Sequence, residues 1–238
     1  MKKFTLMAAI GFLLLLFSLS GFAQDEKKSN LDVGSDFVSR YIWRGTDFGN
    51  SPSIQPFISY SIAGFEVGTW GSFATNGADM QEVDLYASYT FLDDMISVGV
   101  TDYFFPGSTV SMNNYFDYGD TTTGHIFEGN LNLSGPEKVP LSLSVNYNFY
   151  GADKDNSWYF ELGYNGSCKY VDFNVFVGAT TGKGIYLTPG ADGFSVVNVG
   201  LGVSKDIQIT EKWSLPVFGQ LITNPQAENI FLVFGFSL

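Results

Sequence analysis

Few residues in this chain are equipped for catalysis, and most that are ionisable are carboxylates. It contains one histidine, His125, and one cysteine, Cys168. A Ser–His hydrolytic pair would need a serine on the strand beside His125. Residue parity instead places His125 with outward Phe127 or at a loop edge, so it reads as an interfacial residue rather than a base. Cys168 and His125 fall at opposite ends of the pattern described below, which does not suit a shared metal, and a single cysteine leaves no internal disulfide. The run Asp153–Asn156, "DKDN", has acidic spacing but lacks the glycine and terminal glutamate of a calcium-binding EF-hand loop. It reads as a solvated polar turn. No catalytic residue, metal ligand or cofactor is assigned.

The chemistry left is electrostatic. Asp32, Asp36, Glu66, Glu82, Asp84, Glu128, Glu161 and Asp172 share the polar parity of their segments, with Arg40, and Arg44 beyond it, as the cations in reply. Charged groups on a hidden face need water or a partner. If water reaches them, an acid excess favours cations over anions. Asp36, Arg40, Glu66, Trp70, Asp84, Glu128, Glu161 and Asp172 are therefore the expected lining of a lumen. The alternative is a plugged interior in which carboxylates pair with Arg40 for structure alone.

The elements that would position these residues alternate with period two. "LSLSVNYNF" sets Leu141, Leu143, Val145, Tyr147 and Phe149 against Ser142, Ser144, Asn146 and Asn148. "LDVGSDFVSRYIW" reads as one strand with Leu31, Val33, Phe37, Tyr41 and Trp43 on its apolar face. The last strand, "FLVFGFSL", places Leu232, Phe234, Phe236 and Leu238 on one face. Counting such segments gives about twelve strands near ten residues long, the length a tilted strand needs to cross a bilayer. Short connections ("AG", "LDDM") alternate with long ones (44–52, 106–122 and 180–193), as in an outer-membrane barrel. The expected fold is all-β: a transmembrane antiparallel β-barrel of about twelve strands in an up-and-down meander.

Aromatic placement supports lipid as the solvent of the apolar face. Outward Tyr41, Trp43, Phe73, Tyr147, Phe149 and Trp158 fall near the long-loop ends. Outward Phe65, Tyr89, Phe91, Tyr164, Phe173 and Trp213 fall near the short turns, giving two interfacial belts. Phe57, Trp70, Tyr103, Tyr150, Tyr159, Phe176 and Phe218 have inward parity and point to a narrow lumen at best. A soluble β-sandwich is the fold-level alternative, since it too hides one face.

The first 23 residues carry Lys2 and Lys3, an apolar stretch and "SGFA", the pattern of a secretory signal peptide cleaved near Ala23. Residues 24–30 then form a short periplasmic segment and 31–238 the barrel. After Ala23 no run reaches the 18 or so apolar residues of a membrane helix. The formal charge of −12 argues against nucleic acid as a partner.

The segment "VSRYIWRG", followed by "GTWGS" and "VDLYASYTF", resembles the TorF-type porin family, bacterial outer-membrane β-barrels of largely unassigned function. Ser39, Tyr41, Arg44, Gly45, Gly68, Trp70 and Ser72 carry the resemblance, which covers the first third of the mature chain well and the rest as strand rhythm. It implies an outer-membrane location and a pore, and assigns no substrate. The expected partners are outer-membrane lipid, small solutes, and the barrel-assembly machinery, reached through the C-terminal strand. Two functions stand: a weakly cation-selective porin-like channel for passive diffusion of small hydrophilic solutes or ions, and a non-conducting barrel with a structural or loop-mediated binding role. Neither is an enzyme.

Overall fold

The structure is a computed structural model and describes residues 30–77, 81–106, 114–136 and 138–238. The expected signal peptide, nearly all of the 24–30 segment and the centre of the 106–122 loop lie outside the described residues. The chain forms β1 (Leu31–Val38), the two-residue strands β2 (Ile42–Trp43) and β3 (Thr46–Asp47), then β4 (Ser53–Ile62), β5 (Phe65–Ala74), β6 (Gln81–Phe91) and β7 (Ile96–Phe104). It continues through β8 (Ile126–Ser134), β9 (Leu141–Gly151), β10 (Trp158–Ser167), β11 (Asp172–Thr181), β12 (Ser195–Thr210), β13 (Trp213–Asn224) and β14 (Asn229–Ser237). β1 and β4–β14 make one closed antiparallel barrel of neighbours in sequence order, so the twelve-strand transmembrane meander is the observed fold.

Parity decides which way each side chain points. Val33, Ile58, Leu85, Val100, Leu143, Leu162, Val177, Leu201 and Leu221 are all exposed on the outer wall. Their neighbours of opposite parity, including Ser59, Asp84, Asn146 and Asn198, are buried within the barrel. This inverts a soluble protein, and closure removes most of the unpaired edge that a bilayer would penalise. Both expected belts are present at Phe73, Phe149 and Trp158 on one rim and Phe65, Tyr89, Phe91, Tyr164 and Trp213 on the other. β12 is longer than its sequence pattern suggested. It runs on through Lys205–Thr210, where Ile207 keeps the exposed parity of Leu201 and Val203, and stays paired with β13.

Two expectations need correction. Tyr41 and Trp43 do not belong to an outer belt. β1 ends at Val38 and the chain turns into the lumen, where Tyr41 is buried. Tyr150 does not face inward: a bulge between Phe127 and Glu128 shifts the register, pairing Tyr150 with outward Phe127. Of the other rings read as inward, Trp70, Tyr103 and Tyr159 pack against Tyr41, Trp43 and Tyr186 inside the barrel. Three more lie on the wall over glycines: Phe57 over Gly34, Phe176 over Gly200 and Phe218 over Gly235, each a cross-strand pair. A Cβ on Gly200 would meet the Phe176 ring at 2.2 Å. The ring occupies the space a side chain would take, so it adds little to the lumen.

The barrel closes over a short seam. Only Asp36↔Ser237, Phe37↔Phe236 and Val38↔Gly235 pair β1 with β14. Backbone bonds between Ser35 and Leu238 extend the seam at one end, and Ser39 N–H to Phe234 O at 2.8 Å extends it at the other. The Phe37 and Phe236 rings stack outside it at 4.9 Å.

Gly200→Val should displace Phe176 and lower stability by about 1–3 kcal/mol. Gly219→Ala should be neutral, because the nearest atom to its new Cβ, Val233 O, is 3.8 Å away. Urea midpoints of the refolded proteins read both.

Candidate functional site: a hairpin inside the barrel

After Ser39 the chain enters the lumen as the β2–β3 hairpin, with Ile42 opposite Asp47 and Trp43 opposite Thr46. The turn is Arg44–Gly45, at φ 50° and 80°. Two left-handed residues make the tight turn that suits a twisted two-residue hairpin. Gly45 is required twice over, since a Cβ there would also lie 2.0 Å from Val197 O on β12. Asn224 Nδ2 on β13 donates to Gly45 O at 3.2 Å. The tip is thus fixed to the wall opposite its entry.

Arg44 adopts its left-handed backbone at a cost of about 1 kcal/mol, and its side chain offsets this. Its guanidinium forks onto Glu128 of β8, Nη1 to Oε2 at 2.5 Å and Nη2 to Oε1 at 2.9 Å. Glu128 is 0 % exposed. It also accepts from Tyr103 (2.9 Å), Asn130 Nδ2 (2.7 Å) and Tyr186 (3.2 Å). Arg44 donates to the Tyr186 hydroxyl as well. The guanidinium carbon sits 4.6 Å from the Trp43 ring centre and 4.4 Å from that of Tyr159. Bidentate geometry and flanking rings are what a buried ion pair needs to offset its desolvation. Tyr186 comes from the 182–194 loop, which also folds inward and packs with Tyr159 and Val197.

The sequence-derived lining residues divide by level. Glu128 holds the hairpin. Trp70 packs on Tyr41 at 5.3 Å between ring centres. Glu161 accepts from Tyr159 and from Asn198 Nδ2. Asp84 is buried, its Oδ1 lacks a hydrogen-bond partner among the described residues, and Glu82 lies within hydrogen-bond reach. Asp36 and Arg40 line a cavity of about 360 Å³ with Tyr41, Gln55 and Gln220. Arg40 does not sit in a strand as expected; it lies in the loop beyond β1 and bridges to Asp47 (3.1 Å) and Asn50 (2.5 Å). Glu66 accepts from Ser61, near the short-turn rim. Asp172 accepts from Ser167 and borders a cavity of about 630 Å³ at that end. On the long-loop side, a vestibule of about 540 Å³ lies against the hairpin.

Sequence reading missed the inserted hairpin and Tyr186. Arg-Gly is an unusual pair for this turn, and the aromatic alternation of Tyr41 and Trp43 continued that of β1 without a break. Tyr186 sits in a loop with no period to read.

His125 is buried rather than interfacial. Its Nδ1 lies 2.7 Å from Asp102 Oδ1 and its Nε2 2.8 Å from Tyr115 O. Tyr118 stacks on it at 4.5 Å, so the described end of the 106–122 loop lies against the outer wall beside Phe127. Asp153 is not a solvated turn residue: it is buried and accepts from Asn148 Nδ2, Ser157 N and Asp155 N. Cys168 is exposed in a short turn, where backbone hydrogen bonds from Tyr170 and Val171 hold its thiol below the ordinary range.

The profile of a family described as a bacterial protein of unknown function, Gcw_chp, matches residues 24–214. The chain belongs to that family. The match supports a bacterial family of unassigned function and does not carry the TorF-type name. No curated protein matches this Gcw_chp chain. Among solved structures it is similar to the NanC porin, at 10% identity over 87% of this chain and 98% of that one, with a TM-score of 0.54. It is also similar to the KdgM porin, at 14% identity over 86% and 96%, with a TM-score of 0.48. At such identities the likeness is one of fold.

Removing one partner of a buried ion pair leaves the other charge stranded. Glu128→Ala should cost about 3–5 kcal/mol, and the double variant Arg44→Met/Glu128→Gln should recover part of that loss. Unfolding midpoints of the two refolded proteins make the comparison.

Proposed function

We propose that the protein is an outer-membrane porin-like channel for passive diffusion of small hydrophilic solutes or ions, weakly cation-selective and narrowed by its own first long loop. The observation that carries this reading is a polar lumen with room on both sides of the hairpin, about 360 Å³ on the Asp36 and Arg40 side and about 540 Å³ in the vestibule. The apolar outer wall and aromatic rims support residence in a membrane. The signal-peptide pattern ending near Ala23 supports export. The apolar strand at the C-terminus suits recognition by the barrel-assembly machinery.

Selectivity follows from charges left over. Arg44 and Glu128 cancel, as do Arg40 and Asp47. Asp36, Glu66, Glu161 and Asp172 have hydroxyl or amide partners and retain an acid excess, which draws cations into a low-dielectric passage. A second reading, a non-conducting barrel with a structural or loop-mediated binding role, draws on the fully buried contact between hairpin and Glu128.

Single-channel recording of the refolded protein in a planar bilayer under a salt gradient separates the two. Stable unit steps with a cation-directed reversal potential are expected. Arg44→Ala should raise both conductance and cation preference, while Glu128→Gln should lower the preference. Silence from correctly folded wild type and Arg44→Ala alike would sink the channel reading and favour the second.

A further inference from the structure

The seam between β1 and β14 is zipped only at its lower part. Val38 and Ser39 are the last residues of the first strand's path to bond with β14, at Gly235 and Phe234. There the chain leaves the wall for the lumen. β14 continues upward through Val233, Leu232, Phe231, Ile230 and Asn229 with nothing from β1 beside it. Phe234 uses its N–H and C=O toward Ser39, donating to Ser39 Oγ at 3.0 Å and accepting from Ser39 N–H. By strand alternation, Leu232 and Ile230 turn their backbone groups to that same side. Among the described residues, no backbone hydrogen bond joins them to β1.

This gap is flanked by lipid-facing side chains: Ile230 is 69 % and Leu232 71 % exposed. An unsatisfied backbone group in hydrocarbon costs several kcal/mol, so water or a polar ligand group must reach this edge from within. The vestibule supplies the route. Its cavity of about 540 Å³ touches both sides of the gap, with Asp47 and Asn50 of the first loop on one and Asn229 and Phe231 of β14 on the other. Ile185 and Leu187 add apolar surface to the same cavity. Below it, the hairpin tip narrows the bore.

We propose that the vestibule opens sideways into the bilayer through the upper β1–β14 seam and admits an amphiphile. Its hydrogen-bonding head would lie among Asn50, Asn229 and the free edge of Leu232. Its apolar body would lie against Phe231, Leu187 and the surrounding lipid. This goes beyond a channel for hydrophilic solutes and does not depend on conductance along the bore.

Two measurements on the full barrel in phosphatidylcholine vesicles test it. First, bimane is attached at Phe231→Cys in a Cys168→Ser background, with Leu221→Cys as the lipid-facing reference and Gln220→Cys as the lumenal one. A doxyl-labelled stearate methyl ester dissolved in the bilayer is the quencher. Loss of fluorescence at 231 should match that at 221 and exceed that at 220; quenching no greater than at 220 would overturn the proposal. Second, amide exchange in the unlabelled protein removes any effect of the probe. The Leu232 amide should exchange ~10³-fold faster than that of Val233, which is bonded to β13. Equal protection of the two would mean a sealed seam and would equally overturn it.

Discussion

A guanidinium enclosed in a barrel must find a carboxylate, and this constraint organises the upper half of the molecule. Arg44 reaches Glu128 only because the chain abandons β1 at Ser39, and it does so on a turn that only Gly45 could complete against Val197 O. Tyr103 and Asn130 then serve the remaining lone pairs of Glu128, and Tyr186 arrives from a second loop to bridge the two charges. A bidentate, fully served pair is the form in which a buried ion pair is least costly. Ring packing of Trp43 on Tyr103 and of Tyr186 on Tyr159 then holds both loops in the lumen beside the pair.

The same excursion accounts for the barrel's weakest wall. A strand cannot both continue up the barrel and supply a plug. β1 gives up its upper half, leaving β14 paired above Phe234 with β13 alone. Elsewhere pairing is extensive: β10 and β11 match from Trp158↔Thr181 down to Ser167↔Asp172. Lumen contents and wall integrity are therefore set by one choice of path at one residue, Ser39.

Most of the fold could be read from residue types. Period-two alternation survives without disturbance wherever one face meets lipid and the other a polar interior, as in Leu141–Phe149. The reading failed where physics ceased to be periodic. Tyr41 and Trp43 carry on the rhythm of Leu31–Phe37, yet they obey ring packing inside the lumen instead of the strand's outer face. Tyr150 changed sides because a single bulged residue inverts everything beyond it. Of the candidate site, Glu128 was visible as an inward carboxylate, but its partner was not, since the Arg44–Glu128 contact spans 84 residues and depends on a turn with no sequence signature. His125 lies beside Phe127 as its parity indicated, but its burial comes from a loop folding over it, which local pattern does not record.

The rings laid over glycines have a further meaning for how such a wall tolerates change. Phe176 with Gly200, and Phe218 with Gly235, each behave as one tile spanning two strands. The lumenal surface sees the tile, not which strand supplied its ring. Exchanging ring and glycine across the pair would leave the bore's contour much as it was, whereas altering either half alone would raise a ridge or open a pit. The smoothness of the passage is in this sense a property of couples of residues, and the identity of any single inward residue says little about the bore.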